Sequence, residues 1–141
     1  LGYGVWPESL IEQATRLSIN SHSCVNASAQ WAGLAALTGT QDSVDEMGKA
    51  FDERRHIIVD LLNSVPGFSC VKPGGAFYAF PNITGTGITS HEMQDKLLNE
   101  AGVATIAGTS FGSYGEGYLR FSYASSRENI ERAIARIKDV L

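Results

Sequence analysis

Arg120 is the residue whose type and setting point most directly to chemistry. It lies within Tyr118–Tyr123, an otherwise apolar segment whose alternation predicts a β-strand. Because an unpaired buried charge is costly, an arginine in such a strand needs an anionic partner. Two kinds of partner fit the sequence. One is Glu116 or a carboxylate on a helix, which would make Arg120 structural. The other is a ligand carboxylate, which a guanidinium binds through a planar, two-point contact.

Two glycine-containing segments accompany this arginine. Residues 108–117 contain glycines at positions 108, 112, 115 and 117 and are predicted to form a loop directly before the arginine strand. In residues 73–80, two glycines allow a tight turn and two aromatic residues then begin a strand. Among the candidate motifs of the chain, these two segments are the ones that a purely structural role explains least well.

Other potentially reactive residues have simpler explanations. Gly108–Gly112 matches the G-x-S-x-G pattern of a hydrolase nucleophile, but that site needs a helix directly after Ser110 and a histidine later in the chain. Here a glycine-rich stretch follows, and the last histidine, His91, precedes the serine. The histidines lack metal-ligand spacing, and Cys24 and Cys70 form neither a disulfide framework nor a metal motif. We therefore predict no metal site.

Composition limits the class of protein. The chain has 141 residues, a formal net charge of −4, 43% hydrophobic residues and 18% charged residues, which is typical of a globular protein. The mild acidity argues against a nucleic-acid or anionic-membrane partner. No apolar run approaches the roughly 18 residues of a membrane span, and no signal-peptide pattern occurs. We expect a cytoplasmic protein.

The predicted elements fall into three parts. Residues 1–42 resemble a remnant of another, larger unit, and residues 43–65 form one long helix of the kind that connects two lobes. Residues 66–141 follow the order strand, strand, helix, strand, strand, helix. This order predicts a small mixed or antiparallel sheet with helices on one face. The expected fold class is therefore α/β or α+β.

Local signals predict the elements of the first two parts. Leu1–Val5 is expected to be a buried strand, followed by helices at 7–18 and 27–38, the second closed by Gly39 in the left-handed conformation. A capping box begins the long helix at Ser43. Its predicted inward stripe consists of Val44, Met47, Phe51, Ile58, Leu61 and Val65.

The third part carries its own helix signals. Thr89 and Glu92 form a capping box for a helix that ends at Gly102, and Ser126 begins the final helix. Strands are predicted at 68–71, 76–80, 103–107 and 118–124. The expected inward residues of the final helix are Ile130, Ile134, Ile137 and Leu141.

Four segments together resemble a known family. They are Leu1–Gly4, Asn26–Leu37, Pro73–Tyr78 and the pattern from Gly108 to Ser122 that contains Phe111, the glycines and Arg120. In order and spacing the chain resembles the C-terminal portion of class I pyridoxal-phosphate-dependent aminotransferases of the aspartate and aromatic type.

The resemblance implies roles for particular residues. The family's arginine that binds the substrate α-carboxylate matches Arg120, with Gly117 and Ser122 at the expected offsets. Phe77 resembles a side chain that lines the substrate pocket. The Schiff-base lysine and the groups that bind the cofactor match positions upstream of this chain, so the resemblance implies no catalytic and no cofactor-binding residue within it.

The resemblance also implies a function. The intact parent would use pyridoxal 5'-phosphate to move an amino group between an α-amino acid and a 2-oxo acid, and it would be a homodimer, with residues 21–30 near the subunit interface. The chain alone is expected to bind no cofactor, to be inactive because the lysine is absent, and to self-associate. The alternative is a non-catalytic α/β module for ligand binding or assembly. That alternative explains the element order but not the spacing from the glycines to Arg120.

Overall fold

Five α-helices and a three-stranded antiparallel sheet make up the protein, which is described here by a computed structural model of residues 1–141. The mixed α/β class predicted from the sequence is confirmed. The chain divides into two units, Leu1–Ser43 and Val44–Leu141. None of the five helices combines the length and the apolar character that crossing a lipid bilayer requires.

The first unit begins without the predicted strand. Leu1–Val5 is exposed and forms neither helix nor strand. A strand needs a neighbour for its backbone hydrogen bonds, and no segment pairs with these residues. Helix α1 spans Glu8–His22, so it continues beyond the predicted end at residue 18.

Helix α2 occupies Ala27–Thr38, as predicted. The side chain of Asn26 caps it by accepting a hydrogen bond from the Ala29 N–H at 3.3 Å. The prediction for Gly39 is wrong, because its φ of −79° is extended rather than left-handed. The Gly39 N–H still donates to the carbonyl oxygen of Ala35 at 2.9 Å, so the helix closes without a left-handed residue.

Helix α3 spans Asp42–Asn63. It therefore begins before Ser43, which lies inside the helix, and the predicted capping box is wrong. Instead, the hydroxyl oxygen of Thr40 accepts the Asp42 N–H at 3.3 Å. After Asn63 the next amides bond three residues back, which tightens the chain before it leaves the helix.

The predicted inward stripe of this segment is correct only in its later part. Ile58 and Val65 are buried, whereas Val44 and Met47 are exposed. The core of the second unit reaches this helix from Phe51 onward, where the side chain is partly buried against it. Periodicity alone cannot show where along a helix that contact begins.

The sheet consists of three strands, Tyr78–Ala79 (β1), Ile106–Ala107 (β2) and Leu119–Ser122 (β3), all shorter than predicted. Their order is β1-β3-β2, with both neighbouring pairs antiparallel. On β3, Leu119 and Phe121 are buried and share one core with residues of α3 and of the last helix. The strand alternates, so the residues between them point to the opposite face.

The predicted strand at 68–71 is reduced to one isolated bridge between Ser69 and Asn82. The reason lies at the end of α3. The Asn63 side chain accepts the Cys70 N–H at 2.7 Å and donates to the Cys70 carbonyl oxygen at 3.0 Å. These bonds occupy the backbone groups that would otherwise extend a strand.

The remaining helices begin as predicted. Helix α4 spans Ser90–Lys96 behind the complete Thr89–Glu92 capping box, and a π-helical turn extends it to Gly102, whose φ is +64°. Helix α5 spans Arg127–Val140, with Ser126 as its cap. The predicted inward residues are buried except Leu141, which is exposed at the chain end.

Candidate functional site

Arg120 lies at the centre of the outer sheet face. On β3 it pairs with Ile106 of β2. Continuing the register in which Tyr78 pairs with Ser122 places Phe80 opposite Arg120 on the other side. Since the neighbours of Arg120 along β3 are buried, its side chain leaves the sheet on the face away from the core.

Two aromatic rings lie against the Arg120 guanidinium. Its Cζ is 4.3 Å from the ring centroid of Tyr78 and 4.6 Å from that of Phe111. Both distances are within the roughly 6 Å at which a ring attracts a cation. Such contacts restrain the guanidinium without using its N–H donors, so the donors stay available for an anion.

The structural alternative for Arg120 is not observed. Arg120 belongs to none of the ion pairs of the chain. Glu116 instead turns towards α4, where its carboxylate accepts the N–H of Ser90 at 2.9 Å, and it also accepts the N–H of Gly117 at 3.0 Å. These two backbone hydrogen bonds hold the pKa of Glu116 below its usual value. The carboxylate nearest in sequence is therefore already occupied.

Further rings pack behind Phe111, one of the two that contact Arg120. Phe111 meets Phe80 edge to face at 6.2 Å, and Phe80 stacks on Tyr118 at 5.3 Å with the ring planes 11° apart. We call these four side chains, Tyr78, Phe80, Phe111 and Tyr118, the aromatic cluster. Phe111 is 53% exposed, so the cluster surrounds Arg120 with apolar surface that remains open to a ligand.

Phe77, the other candidate site residue, lies one ring away from Arg120. Its ring centroid is 4.5 Å from that of Tyr78 and 6.3 Å from that of Phe51 on α3. The side chain is exposed. Phe77 thus borders the aromatic cluster but is not among the rings that contact the guanidinium.

The segment before β1 is held by two long-range hydrogen bonds. Arg55 Nη1 donates to the carbonyl oxygen of Pro73 at 3.1 Å, and the Tyr123 hydroxyl donates to that of Ala76 at 2.8 Å. Ala76 has a φ of +60°, which is uncommon for a residue with a side chain. The sequence analysis missed Arg55 and Tyr123, because no local signal links either residue to this segment.

Glycines shape the loop that carries Phe111. We call residues 108–117 the glycine loop. The backbones of Gly108 and Gly115 touch, and a Cβ atom on either would collide with the carbonyl oxygen of the other. The Gly108 N–H also donates to the carbonyl oxygen of Tyr118 at 2.8 Å. The loop therefore folds back on itself and presents Phe111 at the end of a 3₁₀ turn.

The hydrolase pattern has no catalytic setting. Ser110 is exposed in the 3₁₀ turn Gly108–Phe111, and the element that follows is another 3₁₀ turn rather than a helix. No histidine hydrogen-bonds to its hydroxyl, because the only histidine–serine side-chain bond of the chain joins His22 to Ser18. No cluster of side chains could hold a metal ion.

Comparison with known proteins assigns the chain to a family. The model of aminotransferase class I and II matches residues 1–137. The chain belongs to this family. The family resemblance predicted from the motifs is therefore confirmed.

The relatives share the whole segment but are much longer. Aspartate aminotransferase of Pyrococcus horikoshii is 43% identical over 100% of this chain and 37% of its own length. Putative aminotransferase YugH of Bacillus subtilis is 39% identical over 100% of this chain and 36% of its own length. The chain thus spans little more than a third of these curated aminotransferases.

Solved aminotransferases have the same fold. An aromatic aminotransferase from Pyrococcus horikoshii superimposes with a TM-score of 0.90 and 39% identity over 96% of this chain and 36% of that one. An alanine aminotransferase from Pyrococcus furiosus gives a TM-score of 0.85 and 36% identity over 93% of this chain and 34% of that one.

The lysines of this aminotransferase segment do not fit the anchoring of pyridoxal phosphate. A Schiff-base lysine is activated by a desolvated pocket or by a neighbouring cation. Lys49, Lys72 and Lys138 are exposed, and Lys96 pairs with the carboxylate of Glu100 at 2.7 Å. None of the four lysines therefore has the setting of a Schiff-base lysine.

Proposed function

We propose that the chain is part of a pyridoxal-phosphate-dependent aminotransferase that moves an amino group between an α-amino acid and a 2-oxo acid. In this proposal Arg120 binds the α-carboxylate of the substrate. The observation that carries it is a guanidinium held against two rings, Tyr78 and Phe111, without an ion pair in its own chain. Membership of the aminotransferase family supports the reaction class.

The geometry suits a carboxylate. Guanidinium N–H donors match the two oxygens of a carboxylate, and hydrogen bonds to charged groups contribute about 1.5–3 kcal/mol. Apolar rings around Arg120 lower the local dielectric, which strengthens that attraction. Phe77, next to Tyr78, is proposed to line the pocket for the substrate side chain.

We call the intact aminotransferase that contains this sequence the parent enzyme. The residues that bind the cofactor and carry out its chemistry are proposed to lie in the rest of that enzyme. When bound, pyridoxal phosphate supplies the electron sink for transamination. Residues 1–42 are proposed to belong to the large cofactor-binding domain, residues 43–65 to connect the domains, and residues 66–141 to form the small domain. The parent enzyme is further proposed to be a homodimer and to be located in the cytoplasm.

Substitution of Arg120 tests its role. In the parent enzyme, Arg120→Lys should raise KM for the amino acid at least about tenfold, because one ammonium group cannot reproduce the guanidinium fork. The matched control is Arg127→Lys on α5, which changes an exposed arginine that pairs with Glu53 and Glu131. Unchanged KM and kcat in Arg120→Lys would remove this residue from the site.

An activity assay of the isolated chain tests whether the cofactor chemistry depends on the rest of the parent enzyme. Mixed with pyridoxal phosphate, an amino acid and 2-oxoglutarate, it should form no product, because no lysine of the chain is placed to anchor the cofactor. Measurable turnover by the isolated chain would contradict the proposal that it is inactive alone.

A further inference from the structure

Ser90 and Glu116 join the start of α4 to the end of the glycine loop. The Glu116 carboxylate accepts the N–H of Ser90 at 2.9 Å and that of Gly117 at 3.0 Å. In the reverse direction, the Ser90 hydroxyl oxygen accepts the N–H of Gly117 at 2.9 Å and that of Tyr118 at 3.2 Å. We call this reciprocal set of hydrogen bonds the Ser90–Glu116 clasp.

The clasp acts on the loop rather than on the helix. Helix α4 is already capped by the box that Thr89 and Glu92 form. Ser90 is 0% exposed, and its hydroxyl is turned to the buried N–H of Gly117 rather than to an amide of its own helix. Removing that hydroxyl would leave the Gly117 N–H with Glu116 and the Tyr118 N–H with the Gly115 carbonyl oxygen as their only acceptors, so the loop would lose two of its hydrogen bonds to the start of α4.

A series of contacts links the backbone amides bound by the clasp to Arg120. The Tyr118 N–H is fixed by the clasp, and the Tyr118 ring stacks on Phe80, which in turn contacts Phe111. Phe111 lies within the glycine loop and against the Arg120 guanidinium. One continuous chain of contacts therefore connects Ser90 to Arg120.

We propose that Ser90 and Glu116 are positioning residues for the carboxylate site. By fixing the glycine loop against the start of α4, they hold Phe111 against Arg120 and so set the orientation of the guanidinium. This proposal rests on the function proposed for Arg120. In this proposal the carboxylate contact is the same in the ground state and in the transition state, so the clasp controls KM and ligand affinity while kcat changes little.

Substitutions in the parent enzyme test the clasp. Glu116→Ala should raise KM for the amino acid, and Kd for the unreactive carboxylate 3-phenylpropanoate, about 3- to 10-fold with kcat within about twofold. Glu116→Gln keeps a carbonyl oxygen as acceptor and should restore both constants to within about twofold of the starting enzyme. Ser90→Ala should act in the same direction as Glu116→Ala. The double variant should be less impaired than the product of the two effects, because both residues act in one network.

Thr89→Ala is the matched control. It removes the capping box from the same helix but no contact with the glycine loop. It should lower thermal stability and leave KM unchanged. An increase in KM equal to that of Glu116→Ala would show that only helix stability matters and would overturn the positioning role.

The outcomes also separate this proposal from the one on which it rests. If Arg120→Lys raises KM but the Glu116→Ala and Ser90→Ala variants keep KM and Kd within about twofold, the clasp proposal is wrong and the role of Arg120 stands. If Arg120→Lys changes neither constant, the proposed function fails first. A change in kcat alone on removing Glu116 would likewise overturn the positioning role.

Discussion

Tyr123 donates a hydrogen bond from its buried hydroxyl to the carbonyl oxygen of Ala76 at 2.8 Å. The bond joins the end of β3 to the residue before the aromatic pair Phe77 and Tyr78, and Ala76 takes a φ of +60° at this point. Burial also raises the pKa of the Tyr123 phenol, which already holds its proton at neutral pH at its usual pKa of about 10. The start of β1 is thus set by the side chain of the residue that follows β3.

Removing the Tyr123 hydroxyl should lower the stability of the second unit, Val44–Leu141. Tyr123→Phe keeps the ring but leaves the Ala76 carbonyl oxygen without its donor, and we expect the free energy of unfolding to fall by about 1 kcal/mol. Urea denaturation of the parent enzyme measures the change. Tyr114→Phe is the control, because Tyr114 is 100% exposed and its hydroxyl has no partner in the fold. Equal effects of the two substitutions would contradict the importance of the bond.

Contact between the backbones of Gly108 and Gly115 should make the glycine loop intolerant of a side chain. Gly108→Ala places a Cβ against the Gly115 carbonyl oxygen and should cost about 1–3 kcal/mol, the usual range for overpacking. Thermal unfolding of the parent enzyme measures the loss. Gly74→Ala should be tolerated, because no atom lies within 4 Å of its added Cβ. A Gly108→Ala variant as stable as Gly74→Ala would refute the contact.

The ring of Phe111 should contribute to carboxylate binding through Arg120. Phe111→Leu keeps apolar bulk but removes the cation–π contact, which is worth about 0.5–1 kcal/mol at exposed sites, so KM for the amino acid should rise about 2- to 5-fold. Steady-state kinetics of the parent enzyme check this value. Tyr114→Leu changes an aromatic residue of the same loop that does not touch Arg120, and it should leave KM unchanged.

Acid should weaken the Ser90–Glu116 clasp. The backbone N–H groups of Ser90 and Gly117 lower the pKa of Glu116, and the nearby His91 lowers it further when charged. A lowered pKa in the folded state means that the carboxylate stabilises the fold above its usual pKa of about 4.3 and loses this contribution as the pH falls through the lowered value. The stabilisation is therefore complete at neutral pH.

The contribution of Glu116 to the pH dependence of stability can be isolated by comparing two proteins. Glu92 also has a lowered pKa, through its capping hydrogen bonds with Thr89, and Glu128 has one through hydrogen bonds with its own backbone N–H and with Ser126, so the total acid response mixes three carboxylates. The difference in unfolding free energy between the parent enzyme and Glu116→Gln, which does not titrate, removes the contributions of Glu92 and Glu128. We expect this difference to shrink below about pH 4.3. A difference that stays constant from pH 7 to acid would rule out the contribution of Glu116.

Local signals predicted several elements because their causes lie within a few residues. The capping box of Thr89 and Glu92 and the cap at Ser126 depend on hydrogen bonds three residues apart. The same signal failed at Ser43, where Thr40 supplies the acceptor and α3 begins earlier. The strand at Leu1–Val5 failed for a different reason, since a strand exists only where another segment pairs with it.

By itself, the sequence determined where α2, α4 and α5 begin, the alternation that turns Arg120 to the outer face of β3, and the family to which the chain belongs. Tertiary structure alone decided the partners: the Tyr78 and Phe111 rings against the guanidinium, and Ser90 rather than Arg120 as the partner of Glu116. Helix caps and strand alternation arise from neighbouring residues, so a linear pattern carries them. Contacts between residues tens of positions apart depend on how the elements pack, and no local pattern encodes that packing.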